Sequence, residues 1–413
     1  MAERKIVPDI RFAGFGGDWE RQKAADLAEY SKGQGYSKSD LTESGTPIIL
    51  YGRLYTRYKF LIDDVDTFAV AKSGSVFSQG GEVIVPASGE TADDIARASA
   101  VAKPGILLGG DLNILRPVEQ MNPVFLAISL SNGASREELA RKAQGKSVVH
   151  IHNSDIQEIS VSFPARAEQD RIADGFMRLD GLIESMQHKL IALANFKKAM
   201  LDKMFPKDGA AVPEIRFNGF SGDWEQRKLG DTASSFEYGL NAAAKEYDGI
   251  NKYLRITDID DSSRAFKSDD LTSPDADFSI SDSYRLRKGD VLFARTGASV
   301  GKTYIYRETD GLVYFAGFLI RASIKHEYDA EFIFQNTLTS SYEKFIQITS
   351  QRSGQPGVNA QEYAEYSFLT PNYAEQKKIG GFLRQIDNLI VFHQRKLDCL
   401  RNIKEACLEK MFV

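Results

Sequence analysis

The segment SQRSGQPGVNAQ carries Gln351, Arg352, Gln355 and Asn359 on one glycine-flanked loop. These side chains can read base edges, because arginine bridges O6 and N7 of guanine while glutamine or asparagine bridges N6 and N7 of adenine. Arg53, Tyr55, Arg57 and Lys59, in YGRLYTRYK, combine cations with aromatic rings. Lys146, His150 and His152 lie in a third polar stretch, QGKSVVHIHNSD. Arg295, Thr296, Ser299 and Lys302 stand in RTGASVGK, where glycine lets a backbone approach a phosphate or a groove closely. All four sets suit contact with nucleic acid rather than bond making.

Groups that would make or break bonds are missing. GASVGKT falls one residue short of the GxxxxGK[ST] phosphate loop, because Thr296 stands five positions before Gly301. There is no NPPY-like motif for methyl transfer to an amino group, no glycine-rich cofactor loop and no nuclease-like set of carboxylates with lysine. The two cysteines, Cys399 and Cys407, lie about 12 Å apart along a helix, beyond a disulfide's reach, and five scattered histidines offer no zinc spacing. No metal site is expected. With a net charge of −5 and a pI of about 5.7, a nucleic-acid surface must be local or shared with a partner. No apolar run is long enough to span a membrane and the N-terminus lacks a signal-peptide core, so a cytoplasmic protein is expected.

The elements that must carry these loops are duplicated. PDIRFAGFGGDWERQK at Pro8–Lys23 returns as PEIRFNGFSGDWEQRK at Pro213–Lys228, an offset of 205. Ala167–Phe205, which opens AEQ and closes KMF, returns as Ala374–Phe412 at an offset of 207. The blocks between them, about 24–163 and 229–370, show no obvious similarity and mix short β-rich runs with helical stretches. Each long repeat has coiled-coil periodicity. The first stripe includes Ile172, Leu179, Ile183, Met186, Leu190 and Leu193; the second includes Ile379, Ile386, Ile390, Leu397 and Leu400. Lys197 and Lys404 also fall on the stripe, where a charge can fix register. Rods of about 36 residues, roughly 54 Å long, are expected to pack antiparallel. The fold class is therefore α+β, with a pseudo-twofold internal repeat: mixed α/β domains at 1–163 and 208–370, and long helices at 164–207 and 371–413.

The twice-used PxIRFxGFxxDWExxK, the twice-used AEQxxI with its long helix ending in KMF, and two divergent blocks between them resemble the specificity subunit of a type I restriction-modification enzyme. The resemblance spans nearly the whole chain, and the RTGASVGKTYIY and SGQPGVN segments resemble stretches common in that family's target recognition domains. It implies a non-catalytic subunit that binds double-stranded DNA and reads a bipartite, asymmetric site, each recognition domain taking one half and the helices setting the spacer. It also implies two modification subunits, which methylate adenine at N6 with S-adenosylmethionine, and two restriction subunits, which use ATP and Mg2+. None of these cofactors is expected on this chain. One departure is that His188, Ala194 and Phe196 of the first helix become Arg395, Arg401 and Ile403 in the second, so the two partner contacts are expected to differ in strength. A duplicated coiled-coil adaptor whose end domains bind proteins would use the same repeats.

Overall fold

The IRF motif is a clamp on the start of a long helix. In the computed structural model, Arg11 donates to both carboxylate oxygens of Glu168 at 2.6 and 2.7 Å and to the carbonyls of Gly16 and Gly17. Arg216 does the same to Glu375, at 2.7 and 2.8 Å, and to the carbonyls of Ser221 and Gly222. The glutamates are buried at 2% and 0% side-chain exposure, so the fork-to-fork pairing is what makes their charge tolerable. The next residue of each AEQ motif closes a second joint. Gln169 accepts from the Asn122 amide and donates to the Pro164 carbonyl; Gln376 accepts from Asp329 and donates to Pro371.

The structure describes residues 7–145, 148–207, 209–351 and 354–412, in two compact units. One comprises Met1–Met186 with Leu397–Val413, the other Gln187–Lys396. The long helices run Arg166–Met204 and Tyr373–Met411, and each contributes to both units.

Trp19 centres the first unit's core, with ring centroids 5.8 Å from Phe125 and 6.3 Å from Phe412. Trp224 repeats this in the second, 5.7 Å from Phe332 and 6.3 Å from Phe205. The GDWE motif is thus an anchor for the end of a long helix. Backbone hydrogen bonds reinforce it: Asp9 and Ile10 donate to the Lys410 carbonyl, and Ile215 to that of Lys203.

Within each unit, helical segments of opposite chain direction pack on one another. In the first, Phe176 meets Phe412 and Asp180 pairs with Lys404 at 2.6 Å. In the second, Phe196 meets Phe382 and Lys197 pairs with Asp387 at 2.5 Å. Every residue of the apolar stripe is buried or half-buried, whereas the flanking Leu182, Ile191, Leu389 and Ile403 are exposed.

The dissimilar blocks share a β core. In the first, Ala28–Lys32 pairs antiparallel with Leu112–Pro117, which pairs antiparallel with Val83–Pro86. In the second, Ala233–Tyr238, Leu319–Ile324 and Asp290–Ala294 take the same order and directions. Each block enters and leaves through a matching ladder, Glu20–Lys23 against Ser160–Phe163 and Glu225–Lys228 against Ser367–Thr370. Beyond that frame they differ. Among the described residues the first adds a second five-stranded sheet and a two-stranded one, the second two small two-stranded sheets.

Candidate nucleic-acid interface

Where the central strand pair ends, each unit ties several loops together by backbone hydrogen bonds, and the two sets of bonds correspond. In the second unit, Gly239 donates to the Leu319 carbonyl, Arg295 to Phe318, Gly317 to Leu240, and Val358 to Arg295. In the first, Gly33 donates to Leu112, Ala87 to Asp111, Ile151 to Ala87, and Gly110 to Gly35, one residue beyond the counterpart of Leu240. The glycines are obligatory at the crossing: a Cβ on Gly239 would stand 2.2 Å from the Ala316 carbonyl oxygen, and one on Gly33 would stand 1.9 Å from that of Gly109. By this correspondence Ser88 matches Thr296, His152 matches Asn359, and Asp111 matches Phe318.

The second unit's cluster gathers Arg295, Thr296, Gln355 and Asn359. Arg295 lies over the Tyr238 ring, 5.1 Å from its centroid, and the Tyr238 hydroxyl accepts from the Ala360 amide. Gly297 donates to the Pro356 carbonyl, and the Gln355 amide nitrogen lies 3.0 Å from where a Cβ on Gly297 would be. Asn359 caps the helix Ala360–Ala364 by accepting from Glu362, leaving its NH2 group to donate. Gln351 is exposed. Arg352 lies outside the described residues, as does Lys146 in the first unit.

The first unit's cluster gathers Tyr55, His150 and His152. Ser88 Oγ is 3.2 Å from His150 Nδ1, and the Tyr55 hydroxyl donates to the Ser88 carbonyl at 2.7 Å. Burial pushes the Tyr55 phenol up, so it stays a neutral donor. His152 precedes the helix Asn153–Glu158 as Asn359 precedes its own, with its amide donating to Asp155.

Other candidates point elsewhere. The Arg53 side chain is buried and donates to Asp66 and to the Asp64 carbonyl, so it stiffens a loop instead of offering a free fork. Arg57 pairs with Asp66, and Lys59 with Asp63, Asp64 and Glu184, so the basic-aromatic stretch is largely neutralised within its own unit. Lys302 corrects the expectation made for it. Its side chain is buried, donating to the Ile259 carbonyl at 2.9 Å and pairing with Asp261, whose carboxyl this bond holds below its ordinary range. Gly301 is needed because a Cβ there would strike Ile346. The second half of RTGASVGKTYIY is therefore a packing element. Ser299 lines a neighbouring cleft with Arg264 and Tyr342.

Tyr238, Asp111 and Phe318 were not among the sequence candidates. Their signal was weak, an aromatic or acidic residue beside a glycine where a β-rich run begins or ends, and only strand pairing brings those ends together.

No group of three or more side chains suited to hold a metal ion occurs among the described residues, and no helix among them is long and apolar enough to cross a membrane. The arrangement offers directional donors and acceptors in both clusters.

The family model described as "Type I restriction modification DNA specificity domain" matches residues 16–195 and 221–402, one copy for most of each half of the chain. The chain belongs to that family. It is a non-catalytic DNA-recognition subunit of a type I restriction-modification system. The specificity subunit of the type I restriction enzyme MjaVIII from Methanocaldococcus jannaschii is 21% identical over 401 residues, spanning 95% of this chain and 91% of that one. The crystal structure of the type I restriction-modification system S subunit from M. genitalium shares the fold with a TM-score of 0.70 at 16% identity, covering 99% of both chains. A chain from a structural study of complex assembly and conformational transition of the type I R-M system matches at a TM-score of 0.50 and 15% identity, over 95% of this specificity subunit and 97% of that chain.

Proposed function

We propose that each unit reads one half of a split, asymmetric DNA target through its loop cluster, that the paired helices set the length of the unread spacer, and that their outer faces dock modification subunits for adenine N6 methylation and restriction subunits for cleavage. The observation that carries this reading is the correspondence of the clusters: one backbone scaffold, built twice, presents Ser88, His150 and His152 in one copy and Arg295, Thr296, Gln355 and Asn359 in the other. Different side chains on one frame suit different half-sites. Docking is supported by apolar side chains exposed on the helices: Met177, Leu182 and Ile403 in the first unit, and Phe196, Leu389 and Phe392 in the second. The chemistry belongs to the partners, which would carry S-adenosylmethionine, ATP and Mg2+. Methylating an adenine inside a duplex requires extruding it into a partner's pocket, so the reader itself needs no reactive group. The acidic composition fits, since partners can supply much of the phosphate-neutralising charge. A cytoplasmic location follows from the DNA substrate.

The test is to map N6-methyladenine by single-molecule sequencing in cells expressing this chain with its modification partner. A two-part motif with a fixed gap is expected, and Arg295→Ala or Arg352→Ala should relax one half by about 1–3 kcal/mol per lost base contact while sparing the other. A continuous motif, or equal loss in both halves, would contradict the reading.

A further inference from the structure

Beside the second cluster stands a large apolar side chain, Phe318, with 63% of its surface exposed. It sits in a tight turn closed by the Leu319 amide donating to the Ala316 carbonyl at 2.9 Å. That turn is held from three sides. The Arg295 amide donates to the Phe318 carbonyl at 3.1 Å, the Gly317 amide to Leu240 at 2.8 Å, and the Arg295 guanidinium to the Gly317 carbonyl at 3.4 Å. Gly239 packs against the turn so closely that a Cβ there would stand 2.2 Å from the Ala316 carbonyl oxygen. An aromatic ring is thus displayed on a rigid mount, next to a cation stacked on Tyr238.

Hiding a phenylalanine from water is favourable, so a fixed and exposed one gains by entering another molecule. Duplex DNA has a slot of this shape. Apolar side chains enter between base pairs, partly unstack them and bend the duplex, and pyrimidine–purine steps give way most easily. The first unit places Asp111 at the corresponding position, in a left-handed backbone conformation at φ 59°. A carboxylate cannot enter a base stack, and it repels phosphate.

We infer that Phe318 wedges into the base stack of the half-site held by the second unit, favouring a flexible pyrimidine–purine step there, and that the first unit makes no such insertion. The inference rests on the DNA-reading function proposed above and adds a source of specificity that involves no base-edge hydrogen bond. It also makes the two halves mechanically different, one bent at a wedge and the other read without one.

The experiment uses the complex of the full chain with its modification partner, bound to duplexes carrying the mapped target, with 2-aminopurine placed in turn at purines of each half. Extrusion of target adenines by the partner raises fluorescence in wild type and F318A alike, so the difference between the two isolates the wedge. A several-fold excess in wild type, confined to one step of the second unit's half and kept by F318W, is expected. No difference at any step, or an equal difference in both halves, overturns the inference. Footprinting separates the two levels. A wild-type complex that protects neither half overturns the DNA reading itself, whereas normal protection without a Phe318-dependent signal overturns the wedge alone. Because the side chain is exposed, F318A should melt with the wild type, and its footprint over the first half should be unchanged.

Discussion

At the scale of single residues, the two buried arginine–glutamate forks are where the frame is most vulnerable. Glu168 and Glu375 are out of water, and each accepts from a guanidinium that also bonds two loop carbonyls. The carboxylate raises the arginine's own pKa, through the hydrogen bond above all, so the guanidinium keeps its charge near neutral pH. Removing one partner of such a pair costs about 3–5 kcal/mol, while replacing both with apolar groups can be almost neutral. Glu168→Gln should therefore lower the urea midpoint of the first unit by an amount equivalent to about 3 kcal/mol, and Arg11→Met with Glu168→Met should lose less than either change alone. Equilibrium unfolding of Glu168→Gln, the two single Met variants and the double variant checks this; a double variant as weak as the sum of the singles would show that the two charges are not coupled. The repeat marked both motifs in the sequence but gave no sign that the arginine of one would pair with the glutamate of the other. The surroundings of Arg53 and Lys302 were not legible either, because a cation in a basic or glycine-rich stretch reads the same whether it faces solvent or an aspartate that folding brings close.

At the scale of elements, the long helices were readable nearly to their ends, because an apolar stripe every three and four residues leaves few alternatives, and prolines mark three of the four boundaries. The stripe gave no sign of what its lysines meet. Lys197 and Lys404 answer Asp387 and Asp180, equivalent positions in the two repeats, but the surroundings differ. Asp387 also accepts from Gln335, which donates to Glu331, which pairs with Arg307, so the second unit's seam is wired into its globular block. Lys197 and Asp387 are 11% and 14% exposed, against 25% and 31% for Lys404 and Asp180. Lys197→Met should therefore cost about 3 kcal/mol by stranding a carboxylate, while Lys404→Met, at the wetter site, should cost about 1 kcal/mol or less. Chemical denaturation measures both, and equal costs would mean that the seam is solvated to the same degree in each unit. The shared β core of the blocks was hidden for a different reason: backbone hydrogen bonds set strand order, and many unrelated side chains satisfy the same ladder.

At the scale of the whole chain, duplication of the frame makes the payload exchangeable. Each block enters at a lysine paired with a serine, Lys23 with Ser160 and Lys228 with Ser367, and each presents a phenylalanine to the tryptophan of the motif before it. Residues 24–159 could therefore replace 229–366, with Phe125 meeting Trp224 and Phe205 as it meets Trp19 and Phe412 in its own unit. The amide of Asn122, which donates to Gln169, would donate equally to Gln376. Such a chimera holds two identical readers. Because the frame residues of the two units are equivalent, identical readers mounted on them should each recognise the same half-site. The methylation motif should change from a pair of different half-sites to two copies of the first unit's half-site, separated by a gap, and it should carry no Phe318-dependent distortion. Methyladenine mapping of cells carrying the chimera decides the point: two copies of one half-site would establish that each block reads alone, whereas a motif retaining any base of the second unit's half-site would place part of the reading in the frame.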